Sequence, residues 1–443
     1  MKLFDLAKAR FVAVAALILL ALPVQAEIKI QEVISPGGIK AWLVENHDIA
    51  FTALDIRFKG GTSLDLPGKR GAVNLMTALI EEGAGGLDSQ GFAAARDALA
   101  ADFTFDSDED GVGVSARFLT ENSAKALDLL HEALTQPRFD PQAVERVRGQ
   151  VLQNIASNLK DPGEIAGNIL LAEAFGTHPY GTSGDGTLDS VKALTRDDIL
   201  TAYHGALARD RIYVAAAGDI SAKDLGLLLD KLLGDLPATG APQPSDVALT
   251  VPGGVKQQDF PGPQSQISFY QGGIKFEDKD YFAATILNEI VGGGGFSSRL
   301  MDQVREQRGL TYGISTSLAA YDHAEALEGS LATANDKAAE AIKVIRDVWA
   351  DVAKNGVTQK ELDNTKTYMT GAYPLRFDGN GRIASILVGM QILGLPSTYP
   401  AERNAKVEAV TLDDVNRVAK SLLTPDKLSF IVVGKADGVT SSN

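Results

Sequence analysis

Apolar and polar residues alternate over short runs at Ile39 to Val44, Ala53 to Phe58, Gly111 to Phe118 and Gln266 to Tyr270, as strands with one buried face require. Longer stretches, Ala124 to Thr135 and Asp336 to Asn355, have the length and spacing of amphipathic helices. Strands and helices do not alternate one for one. The order therefore predicts an α+β fold, with largely antiparallel sheets packed against helices, rather than a doubly wound parallel sheet.

The pattern is also duplicated. Leu194-Thr195-Arg196-Asp197-Asp198-Ile199 matches Val410-Thr411-Leu412-Asp413-Asp414-Val415 at an offset of 216, and Ile212 to Gly218 matches Leu428 to Gly434 at the same offset. Each copy reads as a capped amphipathic helix, a turn, and a buried apolar strand ending at glycine. Two elements in one order at one offset predict two homologous domains. Proline and glycine crowd together in Leu236 to Gly254, where helical periodicity stops. The chain thus divides into an N-terminal domain (27–236), a linker (237–258) and a C-terminal domain (259–443), preceded by residues 1–26.

The segment Gly292 to Tyr312, GGGGFSSRLMDQVREQRGLTY, has the most specific local pattern. Four glycines (Gly292, Gly293, Gly294, Gly295) lead to serines able to cap a helix, Leu300 and Val304 share one face, and Gly309 can close the end. Tyr312, Ile314, Thr316 and Leu318 then alternate as in a strand. Arg305 and Tyr312 flank one tight reversal. Their donors suit the backbone carbonyls of an extended peptide, although local rules alone favour a surface arginine and a packed strand tyrosine.

Composition narrows the setting. Lys2, Lys8 and Arg10 precede an apolar run from Phe11 to Pro23 and then Val24-Gln25-Ala26, the pattern of a signal peptide cleaved after Ala26. An exported, periplasmic protein is expected, with no stable membrane span after cleavage. Without that segment 39 basic and 56 acidic residues remain, a net charge of −17. Such a surface argues against nucleic acid as a partner. The chain has no cysteine, so disulfides and thiolate metal sites are excluded. Leu66 to Arg70 lacks the spacing of a phosphate loop, and Gly181 to Gly186 (GTSGDG) reads as an ordinary loop. Asp106, Asp108, Glu109 and Asp110 read as a solvated turn, and His178 as a structural residue beside Pro179.

Four passages together resemble the pitrilysin/insulinase family of zinc peptidases, which includes the mitochondrial processing peptidase: Gly61 to Gly71, His178-Pro179-Tyr180-Gly181, Leu194 to Gly218, and Ser297 to Tyr312. The resemblance implies duplicated α+β units and an active site between facing domains. It places two zinc-binding histidines and a general base on a helix as H-x-x-E-H, with a distant glutamate as third ligand. Here Asn74 stands at the first histidine, Thr77 at the base, Ala78 at the second histidine and Asn154 at the third ligand. All four are replaced, and the five histidines lie at least 26 residues apart. In the family an arginine and a tyrosine seven residues later contact substrate backbone from the opposite domain; these correspond to Arg305 and Tyr312. Gly292 to Gly295 is placed like the glycine-rich loop of the processing peptidase's non-catalytic subunit.

The resemblance implies a non-catalytic, substrate-binding subunit of an exported zinc metallopeptidase. It would bind peptide substrate and form a heterodimer with a chain bearing H-x-x-E-H, which would carry the zinc. The alternative is a catalytically inactive peptide-binding or scaffolding protein, such as a homodimer, acting without a peptidase partner. Independent peptidase activity contradicts the replaced residues.

Overall fold

The structure, a computed structural model, describes residues 28–293 and 295–442. The expected signal segment and Gly294 therefore lie outside the described residues. In chain order the first half comprises β1 (Gln31–Ile34), β2 (Lys40–Glu45), β3 (Phe51–Lys59), α1 (Ala72–Leu79), the two-residue strands β4 (Gly83–Ala84) and β5 (Leu87–Asp88), α2 (Ser89–Ala98), β6 (Asp102–Ser107) and β7 (Gly111–Leu119). It continues with α3 (Ser123–Thr135), α4 (Pro141–Asn158), α5 (Pro162–Phe175), α6 (Leu188–Ala193), α7 (Arg196–Ala206), β8 (Ile212–Gly218) and α8 (Ala222–Leu233). The second half comprises β9 (Gly254–Gln258), β10 (Gln264–Gly272), α9 (Tyr281–Gly292), β11 (Thr311–Tyr321), β12 (Ala324–Ala334), α10 (Ala338–Asn355), α11 (Gln359–Ala372), α12 (Asn380–Ile392), α13 (Tyr399–Ala409), α14 (Leu412–Leu422) and β13 (Ser429–Val433).

The duplication seen in the sequence is a duplication of topology. The first sheet has the order β1-β2-β8-β3-β7-β6, and the second, taken from β9, runs β9-β13-β10-β12-β11. Beyond the added edge strand β1, the two orders correspond strand for strand. In each, the last strand in chain order lies beside the equivalent early strand (β8 beside β2, β13 beside β9) as a parallel pair. The other pairings are antiparallel. The repeated threonines have repeated duties: Thr195 and Asp198 form a capping box at the start of α7, and Thr411 and Asp414 form its counterpart on α14. The paired glycines are also explained. Gly218 and Gly434 have φ of 125° and 153°, and a Cβ would collide with Phe51 at one and Ser265 at the other.

Strands β8 and β13 are buried on both faces because each receives a helix from the opposite half. Val214 and Ala216 face the first core, whereas Ala215 packs with Leu387, Val388 and Met390 of α12. Gln391 on the same helix donates to the Val214 carbonyl at 2.8 Å. Conversely, Phe430 and Val432 face the second core, and Ile431 and Val433 pack with Ala166, Leu170 and Ala174 of α5. The alternation follows the period of two of a strand. A helix stripe at i, i+4, i+8 supplies the other surface.

The expected strands and helices are present with ends shifted by a few residues at most. The expected linker is shorter than 237–258, because Gly254–Gln258 pairs in parallel with β13 and belongs to the second sheet. That pairing is to a strand about 175 residues later, out of reach of local pattern. The interdomain segment is itself tethered, with Thr250 N bonded to Ala174 O at 2.8 Å and Val247 N to His323 O at 2.9 Å.

The exchange of helices predicts a single unfolding transition. Trp42 lies on β2 and the fully buried Trp349 on α10, so single-tryptophan variants report each half separately. Both probes should give coincident urea midpoints, and Leu387→Ala should shift both together by about 2–5 kcal/mol. Midpoints that separate would show that the halves fold independently.

Candidate functional site

The helix carrying the degenerate motif is fixed first at its N-terminus. Asp65 accepts from Gly71 N at 2.7 Å and Val73 N at 2.9 Å, capping α1 from outside the helix. Its side chain is 1% exposed, and burial pushes its carboxyl up to about 6. Beside it the Arg70 guanidinium donates to the carbonyls of Thr62, Thr182 (2.7 Å) and Ser183 (3.0 Å). Arg70 thereby fastens the Gly181–Gly186 loop against the start of α1.

The four degenerate positions, three on α1 and one on α4, share no hydrogen bond with one another among the described residues. Thr77 is buried with its hydroxyl donating to Val73 O at 2.9 Å, a bond internal to the helix. Ala78 is exposed and has no donor atom, and Asn154 is exposed on α4. Asn74 is engaged elsewhere: its Nδ2 donates to Asp185 Oδ1 at 3.1 Å, while Asn158 Nδ2 donates to Asp185 Oδ2 at 3.4 Å. Asp185 thus bridges α1, α4 and the loop. It borders a cavity of about 460 Å³ lined also by Asn158, Ile155, Leu159, Ala172 and Leu188. Among the described residues no group of three or more His, Asp or Glu side chains is arranged to hold a metal. The residues at the four positions do not fit zinc: one lacks a donor, one hydroxyl is satisfied within its helix, and the buried-side amide is bound to a carboxylate.

The second pole is built on the segment after α9. Gly292 is the last residue of α9 and is buried, where a Cβ would meet Thr316 and Leu300. It is a packing residue, not part of an open loop, while Gly293 and Gly295 lie beyond the helix. Ser298 accepts from Met301 N at 3.4 Å, and Met301–Glu306 forms a short π-helical segment with Leu300 and Val304 fully buried. It is closed by an αL end, with Gly309 N bonded to Arg305 O at 2.8 Å and Gly309 at φ 57°, and Leu310 N bonds one residue further back, to Val304 O at 2.9 Å. Arg305 Nη1 donates to Glu306 Oε1 at 2.7 Å, and its Cζ lies 4.9 Å from the Phe296 ring centroid.

The alternation expected from Tyr312 onward is interrupted. Thr311 is opposite Thr333 but Ile314 is opposite Leu331, so β11 carries one extra residue. This bulge lets Ile314 and Thr316 be buried while Tyr312 is 90% exposed. The Thr311 hydroxyl holds the kink, lying within hydrogen-bond distance of Gly313 O at 2.8 Å and Ala332 O at 2.7 Å. Among the described residues no hydrogen bond joins Tyr312 to Arg305.

Comparison with known proteins places this geometry. Residues 41–187 match insulinase (peptidase family M16), and residues 193–369 match the peptidase M16 inactive domain. The chain belongs to the M16 family. A Helicobacter pylori relative named non-peptidase homolog YmxG is 24% identical, over 92% of this chain and 95% of that one. A probable mitochondrial-processing peptidase subunit beta of Schizosaccharomyces pombe is 25% identical, over 72% of each chain. The crystal structure of a peptidase M16 inactive domain from Pseudomonas fluorescens superimposes with a TM-score of 0.87 at 28% identity, covering 94% of this chain and all of that one.

Within this M16 chain the remaining sequence candidates are structural. His178 caps the turn at Pro179–Gly181, accepting from Tyr180 N, and its Nε2 lies 3.0 Å from Ser245 O. The acidic turn is not wholly solvated as expected: Asp110 accepts from the Tyr180 hydroxyl and from Asp322 N at 3.0 Å, joining the two halves. Its register against the second half is a tertiary fact that composition does not carry. Asp106 and Asp108 pair with Arg57. Sequence reasoning missed Asp185 and Asn158. The available signal was Asn158 lying one turn beyond Asn154, on the same helix face.

Two measurements test this pole. Asp185→Ala leaves two side-chain amides without their acceptor, so stability should fall by about 1–3 kcal/mol, with the melting temperature unaffected by chelators in both proteins. Asp65 has a folded pKa of about 6 against 3.8 when unfolded, so the folded state holds its proton more tightly. This group's contribution is therefore largest below 3.8 and is lost as pH rises to 6. Asp65→Asn should remove about one proton's worth of pH dependence in that window, as read from urea midpoints at several pH values.

Proposed function

We propose that this M16 chain is a non-catalytic, substrate-binding subunit of an exported peptidase, supplying Arg305 and Tyr312 to a cleft completed by a chain bearing H-x-x-E-H and its zinc. The contrast between the two poles carries this reading. The metal pole is closed by Asp185, whereas the second pole keeps Tyr312 outward on a bulge and Arg305 at a capped helix end. An arginine fork and a phenol can hold peptide carbonyls without acting as nucleophile or base. The N-terminal pattern supports export to the periplasm, and no helix among the described residues is long and apolar enough to cross a membrane. The name of the Helicobacter relative favours a second reading, a peptide-binding or scaffolding protein with no peptidase partner.

The test mixes the purified chain with an H-x-x-E-H-bearing M16 chain from the same source and follows cleavage of a quenched-fluorescence peptide. Activity should require both chains, and Arg305→Ala or Tyr312→Phe should each lower kcat/KM of the mixture at least about tenfold. Undiminished cleavage by the variants removes the assigned role of this pole. Peptide binding by the chain without any stimulation of cleavage would select the scaffolding reading.

A further inference from the structure

Phe296 follows the glycine run and is 73% exposed. Isolated exposed apolar residues are ordinary on protein surfaces and mean nothing alone. Phe296 differs because its ring lies 4.9 Å from the guanidinium carbon of Arg305, within cation–π range. The same guanidinium bonds to Glu306, so the arginine is steered by a ring on one hand and a carboxylate on the other. Arg305 keeps further N–H donors, since one guanidinium offers five. The backbone beneath is also fixed, by the αL closure at Gly309 and the burial of Leu300 and Val304. An apolar ring and an oriented donor fork are thus presented side by side on a rigid base.

We propose that Phe296 is a specificity-determining residue of this pole, selecting extended peptides with a bulky apolar or aromatic side chain beside the carbonyl that Arg305 holds. The inference rests on the substrate-binding reading above. The ring sets the plane of the guanidinium and supplies the contact surface for that side chain. Aromatic and arginine side chains often anchor binding interfaces, aromatics because they offer large area at small entropic cost and arginine because its planar fork is pre-organised for hydrogen bonding. Acidic side chains at the same place are disfavoured by Glu306 and by the strongly negative chain.

The full-length chain is titrated, by fluorescence anisotropy, with two labelled extended peptides identical except for Phe or Gly at one central position. The wild-type chain should prefer the Phe peptide about tenfold. Phe296→Ala should abolish that preference by weakening only the Phe peptide, and Phe296→Trp should restore it. Arg305→Ala should weaken both peptides. If Phe296→Ala keeps the preference while Arg305→Ala weakens both, the specificity role is overturned and the substrate-binding reading stands. If Arg305→Ala changes neither, or the wild-type chain binds neither peptide, the substrate-binding reading falls and this inference with it. Because Phe296 is outside the core, far-ultraviolet circular dichroism should be unchanged in its variants, which separates loss of binding from loss of fold.

Discussion

Each half of this molecule closes its own sheet with a helix that belongs to the other half. Helix α12 covers Ala215 of β8, and α5 covers Ile431 and Val433 of β13. Neither β8 nor β13 can be buried on both faces by its own domain alone. The arrangement removes the apolar outer surface that an isolated half would expose, and it fixes the spacing of the two poles. Smaller contacts reinforce the same junction: Asp110 with Tyr180 and Asp322 across the halves, and Gln391 on the backbone of β8. Opening between the halves would expose both helix faces at once.

At the first pole the M16 scaffold has kept its helices and changed what joins them. A metal ion links helices through several strong donors; here a single carboxylate accepts from one amide on α1 and one on α4. The neighbouring layer is intact, with Arg70 and Asp65 ordering the loop and the helix start. What is missing is chemistry, not architecture. The second pole shows the reverse balance, since its backbone devices, an αL helix end and a bulge, leave two side chains outward that contribute little to the core.

Local rules account for much of this. The capping boxes at Thr195 and Thr411, the strand-ending Gly218 and Gly434, and the helix-closing Gly309 all act through bonds within a few residues, so their patterns are visible in the chain. The start of β9 at Gly254 and the buried role of Asp110 depend on partners in distant elements, and no local periodicity encodes them. The bulge at Tyr312 shows a subtler failure. Strict alternation puts Tyr312 and Ile314 on one face, and one extra residue separates them. At the degenerate pole the replaced positions could be named from sequence, but the carboxylate that occupies their amide lies 111 residues from Asn74.

That extra residue also changes what can be altered without harm. A side chain on the regular face of β11 answers to the core behind it, and most exchanges there disturb packing. Tyr312 answers to no such neighbour, and Phe296 stands similarly clear of the interior. The molecule therefore separates the positions that make it fold from those it displays at this surface. That surface is open to redesign, or to drift, at almost no cost in stability.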